Sequence, residues 1–175
     1  MYYHNNNNVF KYLLILIPKG ENMQKNIKGV IIKTLTTHSD DRGWLAEIYR
    51  TDDDQLLPVM GYVSHTKRGV IRGPHEHVAQ TDFFVFIGPG DFELHLWDNR
   101  KDSETFTNKI NIIVGESNKV SVIVPPGVVH GYKSISNPGS LSINLPDKLF
   151  AGTGKKEKID EIRHENYKES IFKIE

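Results

Sequence analysis

A chain of 175 residues is long enough for one domain with a substantial buried core. Its 22 Lys and Arg balance its 22 Asp and Glu, so no global field draws it to nucleic acid or to an acidic membrane surface. With no cysteine, disulfides and thiolate metal sites are excluded, and the eight histidines are the soft nitrogen ligands that remain; such a chain suits a reducing cytoplasm.

The first stretch, "MYYHNNNN", is a low-complexity polar tract, and the apolar run "VFKYLLILIP" behind it is too short to span a bilayer. No basic leader or small-residue cleavage site frames it as a secretory signal. Residues 1–22 are therefore expected to be a loosely attached extension, with Met23 a plausible alternative start, and residues 23–175 a single domain. From Lys28 onward the pattern changes. "GVIIKTL", "GWLAEIYR", "VMGYVSH", "DFFVFIGPG", "DFELHLWD", "KINIIVG" and "KVSVIVPPG" are short runs rich in Val, Ile and aromatics, separated by Gly, Pro, Asn and Asp. That is the signature of an antiparallel sandwich or barrel. In "DFELHLWD" the alternation puts Phe92, Leu94 and Leu96 on one face and Glu93, His95 and Trp97 on the other. Only the tail, "GKKEKIDEIRHENYKESIF", has charge spacing compatible with a short helix.

Chemistry concentrates in two places. "GVIRGPHEH" ends in His75 and His77, two apart and so on one side of a strand, and Asp82 follows on the next run. "VPPGVVHGY" carries Pro125, Gly127 and His130 just after another strand. This pair resembles the two motifs of the cupin superfamily. The resemblance implies a cupin-type jelly-roll β-barrel, all-β with a short irregular or helical C-terminal tail, in which His130 meets His75 and His77.

A closer resemblance runs from about Ile31 to His164. "DDRGWLAEIYR", "GVIRGPHEH", "WDNRKDSETF" and "VPPGVVHGY" are similar, in the same order, to four motifs of the dTDP-4-dehydrorhamnose 3,5-epimerase family. That likeness implies a cytoplasmic homodimer acting on a nucleotide-linked 4-keto-6-deoxyhexose in deoxysugar and surface polysaccharide synthesis, with no cofactor. Protons leave next to the ketone and return on the other face. His75 is the implied base, since a proton alpha to a carbonyl needs a base within reach and a stabilised enolate. Arg42 and Arg72 are implied at the sugar-linked pyrophosphate, which guanidinium groups bind bidentately. Glu47 and His130 are implied to shape the pocket, His130 at the catalytic centre and His77 at the substrate, and Arg100 reads as structural.

The sequence also departs from that family. Asp82 stands where a lysine helps the enolate, and the opposing acid, a tyrosine, falls near Ile143. Tyr132 and Tyr62 are the hydroxyls left for that task. The aspartate that partners the catalytic histidine is faintly echoed in "IRHEN", leaving Glu165 or Asn166. A bare carboxylate opposes an enolate in a low-dielectric pocket. A divalent metal on His75, His77, Asp82 and His130 would restore the positive charge and polarise the ketone, but it would take the lone pair His75 needs as a base. Three readings stand: an epimerase, a cupin sugar-nucleotide 3,4-ketoisomerase (which "RGPHEH" also resembles), and a metal-binding or non-catalytic cupin.

Overall fold

The computed structural model describes residues 26–54 and 56–175; the expected extension over 1–22 lies outside them. The chain is built of short strands: β1 (Ile31–Thr34), β2 (Thr37–Asp40), β3 (Gly43–Ala46), β4 (Tyr62–Lys67), β5 (Ile71–Glu76) and β6 (Asp82–Phe86). There follow β7 (Asp91–Asp98), β8 (Lys109–Gly115), β9 (Val120–Val124), β10 (Val128–Ser134), β11 (Gly139–Asn144) and the two-residue β12 (Ile162–Arg163). One five-stranded sheet has the order β1-β9-β6-β11-β4 and the other β12-β5-β10-β7-β8, while β2 and β3 form a separate hairpin. The pairings are antiparallel throughout. This is the antiparallel all-β architecture that the strand spacing predicts, and the jelly roll that the resemblance implies.

The two sheets close on a core taken from alternate positions of their strands. Phe84, Phe86, Val120, Val122 and Val124 come from one sheet; Phe92, Leu94, Leu96, Ile110, Val114, Val128 and Tyr132 come from the other. Phe92, Leu94 and Leu96 are fully buried on the face that their alternation predicts, and each such side chain contributes roughly 1.5–3 kcal/mol. The opposite face of β7 is not left to solvent. His95 stacks on Trp97, the Lys109 ammonium sits 5.1 Å from the Trp97 ring, and Phe172 of the tail packs edge-on against it.

β6 is buried on both faces, and its alternation turns Asp82, Phe84 and Phe86 inward together. A carboxylate thus enters the same interior as two core phenylalanines. The tail forms no α-helix. It contains two single 3₁₀ turns, Thr153–Lys155 and His164–Asn166, and reaches the barrel as β12 along the edge of β5. Gly154 at φ 66° breaks the first of these turns, so the charge spacing that suits a helix is interrupted at its start.

Candidate active site

The site forms where β5, β6 and β10 meet at one end of the barrel. His75 lies directly across from His130 in the β5–β10 ladder, and their ring centroids are 4.4 Å apart. The ladder slips just beyond this pair: Tyr132 faces Arg72, so β5 carries an extra residue. Gly73 makes the slip possible. It sits at φ 78°, and a Cβ there would come within 2.7 Å of the His130 carbonyl oxygen. The "RGPH" turn is therefore a bulge that aims His75 and His77 inward.

His75, His77, Asp82 and His130 converge: one donor atom of each lies within 4.8 Å of the others. Asp82 and His130 are each 1% exposed, which places a carboxylate and an imidazole where water does not reach. Asp82 Oδ2 is 3.1 Å from His77 Nε2 and 3.1 Å from His130 Nε2. Those separations are close, yet neither Asp82 Oδ2 nor His130 Nε2 has a hydrogen-bond partner of acceptable geometry. The other atoms of the cluster are fixed. Asp82 Oδ1 accepts from the amides of Gln80 and Asn144, both at 2.8 Å. His130 Nδ1 bonds the Val128 carbonyl at 3.0 Å, and His77 Nδ1 bonds the Asp160 carbonyl. A carbonyl can only accept, so both Nδ1 atoms carry hydrogen and donate.

The electrostatics follow from this crowding. Burial opposes ionisation of Asp82, but the contacts to His130 and His77 outweigh it and hold the carboxyl well below the usual carboxylate range. Burial likewise opposes a charge on His77, and Asp82 more than offsets it, raising that imidazole. Burial, with His130 and His77 close by, pushes His75 down to about 2, so its imidazole stays neutral.

A cavity of about 1040 Å³ opens above the cluster. His75 and His77 form part of its floor; Tyr62, Arg72 and Tyr132 stand in its wall. Arg72 is held by Thr66 Oγ1 at 2.8 Å and the His65 carbonyl at 3.1 Å. The Tyr132 hydroxyl lies 3.2 Å from Ser142 Oγ, deep in the aromatic core. The Tyr62 hydroxyl accepts from Asn144 at 2.9 Å, and burial pushes it up to about 12. Ile143 does not face the cavity. The β11 alternation turns Ser142 and Asn144 inward instead, so an apolar residue at 143 costs the interior nothing.

Two residues named from the sequence lie elsewhere. Arg42 is on the β2–β3 hairpin, exposed and forked onto Asp40, and Glu47 is exposed and paired with Arg50 at 3.2 Å. Neither lines the cavity; Glu47 borders a separate pocket of about 150 Å³. Both belong to a segment whose own charges satisfy it locally. Arg100, by contrast, is where a structural role puts it: its guanidinium grips Asp98 at 2.7 and 2.9 Å.

The side chain facing His75 is neither that of Glu165 nor that of Asn166. It is Glu161, 3.7 Å from His75 Nδ1, while Glu165 leans toward Arg163 at 3.8 Å. Pairing of β12 with β5 sets Arg163 opposite His75 and brings Glu161 toward its Nδ1. Asp160 beside it accepts from the backbone N–H groups of Val78, Ala79 and Gln80 at 2.8–2.9 Å, fixing the loop after His77. Lys148, Lys155 and Lys158 also border the cavity. The signal for the tail's part was the "KIDEI" stretch itself, an acidic pair just before a β-branched residue, but nothing local says which strand it joins.

Comparisons with known proteins identify the family and the fold. Residues 24–151 match the family described as dTDP-4-dehydrorhamnose 3,5-epimerase. A probable low-salt glycan biosynthesis epimerase of Haloferax volcanii is 36% identical over 128 residues, 71% of this chain and 81% of that protein. A spore coat polysaccharide biosynthesis protein of Bacillus subtilis is 41% identical over 109 residues, 61% of this chain and 71% of the relative. Among solved structures, the dTDP-4-dehydrorhamnose 3,5-epimerase of Bacillus anthracis, with TDP and PPi bound, superposes at TM-score 0.68. That match covers 87% of this chain and 88% of the other at 24% identity, so it speaks for the fold. The motifs, the barrel and the family match together show that this chain belongs to the dTDP-4-dehydrorhamnose 3,5-epimerase family and is an isomerase of the nucleotide-sugar epimerase type.

Proposed function

We propose that the protein epimerises a nucleotide-linked 4-keto-6-deoxyhexose at a carbon next to the ketone, with His75 as the base. One observation carries the assignment: His75 is the imidazole that the β5 bulge presents to the cavity floor with a carboxylate, Glu161, 3.7 Å from its Nδ1. A base needs that placement to reach a substrate proton, and Glu161 is the carboxylate placed to offset the charge that His75, neutral at rest, would take on with it. The returning proton must come from the other face of the sugar. Tyr132 sits on β10, in the same sheet as His75, whereas Tyr62 sits on β4 in the facing sheet. Tyr62 is therefore the acid in this reading, and its raised pKa keeps the phenol protonated at neutral pH. Arg72 and the lysines at the mouth supply positive charge for a diphosphate, the group seen in the Bacillus anthracis relative.

The enzyme is read as a cytoplasmic homodimer. The absence of cysteine suits that compartment, and no helix among the described residues is long and apolar enough to cross a membrane. Trp44 and Leu45 on the β2–β3 hairpin, 53% and 61% exposed, supply apolar surface for a second copy.

Deuterium wash-in on dTDP-4-keto-6-deoxyglucose in D₂O tests the reading. Exchange at C3 or C5 that is lost in His75→Asn supports it. Exchange at C3 with migration of the keto group identifies a ketoisomerase instead, and exchange retained in His75→Asn removes His75 from the chemistry.

A further inference from the structure

We propose that His77 Nε2, His130 Nε2 and Asp82 Oδ2 bind a divalent first-row transition-metal ion, leaving His75 free. Hydrogen-bond polarity carries the inference. Because the Nδ1 atoms of His77 and His130 donate to carbonyls, each ring in its neutral form directs its Nε2 lone pair inward. Both lone pairs meet Asp82 Oδ2 at 3.1 Å; the Gln80 amide reaches His77 Nε2 at 3.2 Å from one side, but Asp82 Oδ2 and His130 Nε2 are buried without a partner of acceptable geometry. With neither a proton nor a cation between them the arrangement is repulsive and costs the desolvation of each group. A cation at their meeting point converts it to attraction.

The spacing and surroundings fit an ion. Two nitrogen or oxygen ligands at about 2.1 Å from a tetrahedral metal stand about 3.4 Å apart, so the 3.1 Å separations need only small adjustment. Each ligand is oriented by an outer partner: Asp160 and Val128 carbonyls for the imidazoles, Gln80 and Asn144 amides for the carboxylate. Metal sites depend on such outer partners to fix ligand tautomer and direction. Two imidazoles and one carboxylate also leave coordination positions open for a substrate oxygen.

His75 stands apart from this set. Its Nδ1 looks toward Glu161 and its side chain is 16% exposed on the cavity side, against 1% for His130 and Asp82. The ion's role rests on the epimerase reading: positioned beside the cavity floor, it would stabilise negative charge on the C4 oxygen, which a bare Asp82 opposes. Its binding does not depend on that reading.

Metal content settles the matter directly. Protein purified without chelator or metal-affinity resin is expected to carry about one ion per chain by mass spectrometry of the elements. Asp82→Asn and His130→Gln should lose it, while His75→Asn keeps it and loses only deuterium exchange. Gln80→Ala should weaken Zn²⁺ binding to the stripped protein about 10–100-fold by calorimetry. Should Asp82→Asn fail to fold, Zn²⁺ added to stripped wild-type protein must still raise its melting temperature. Wild-type protein that holds no ion and ignores Zn²⁺ overturns the proposal, as does loss of the ion in His75→Asn. Metal bound with no exchange on the keto-sugar would instead refute the epimerase reading alone.

Discussion

Gly73 decides where His75 points. With φ at 78° and the His130 carbonyl 2.7 Å from where a Cβ would stand, Gly73→Ala must displace β5 from β10 beside the reacting residue. The expected cost is about 1–3 kcal/mol of stability, with a larger proportional loss of turnover, because the site tolerates misplacement less well than the barrel does. Thermal melts alongside kcat separate the two effects. Tyr62 gives the reverse pattern. It is half exposed at the start of β4, so Tyr62→Phe should leave the melting temperature nearly unchanged and lower kcat by about 10²–10⁴. A similar loss in Tyr132→Phe with none in Tyr62→Phe would return the acid to β10. At this scale the sequence was most legible where chemistry is local. His75 and His77 share a side because they are two apart, and Asp82 falls on the inner face of a strand whose other inner residues are Phe84 and Phe86. What the Asp82 carboxylate meets was not legible, because Asn144 and His130 reach it from distant strands.

The end of β7 shows how an element is pinned. Asp98 is buried and accepts from Arg100, Ser103 and Thr105, and these contacts overcome its burial to hold its carboxyl below the ordinary range. The "WDNRKDSETF" stretch is thus a structural turn. Asp98→Asn should cost about 2 kcal/mol, moderated because Arg100 keeps some contact with water. Since the folded pKa is depressed, that stability is present in full above the unfolded pKa near about 4 and fades as pH falls through the folded value. Melts from neutral pH downward should therefore show the wild-type advantage over Asp98→Asn narrowing below about pH 4. The strands themselves were readable from their alternation and turn residues. The tail was not: its charge spacing describes a helix as well as an edge strand, and only pairing with β5 distinguishes them.

Two sheets closing on a shared core leave one end of the molecule open, and the residues lining that opening come from strands, loops and tail alike. Fold class follows from short-range pattern and so was legible throughout β1–β11. The site was legible only as far as its motifs extend, because contacts such as Asp160 with Val78 join residues 82 positions apart. Arg42 and Glu47 illustrate the limit from the other side: they carry family motifs, yet within one chain they pair with their own neighbours rather than with the cavity. If the exposed hairpin joins two copies, Trp44→Glu combined with Leu45→Glu should halve the molar mass measured by light scattering. An unchanged mass would place the interface elsewhere or show a monomer.

The anchoring of the site by Asp160 and Glu161 also sets an order in time. A nascent chain that has emerged only as far as Lys158 already contains β1–β11 and every residue of the histidine–aspartate cluster. It lacks the carboxylate that faces His75 and the one that fastens residues 78–80. The strands of the barrel are thus synthesised before the site is complete, and competence waits for Asp160 and Glu161 to join it. A chain released at Lys158 would carry the histidine–aspartate cluster without the carboxylates that orient it.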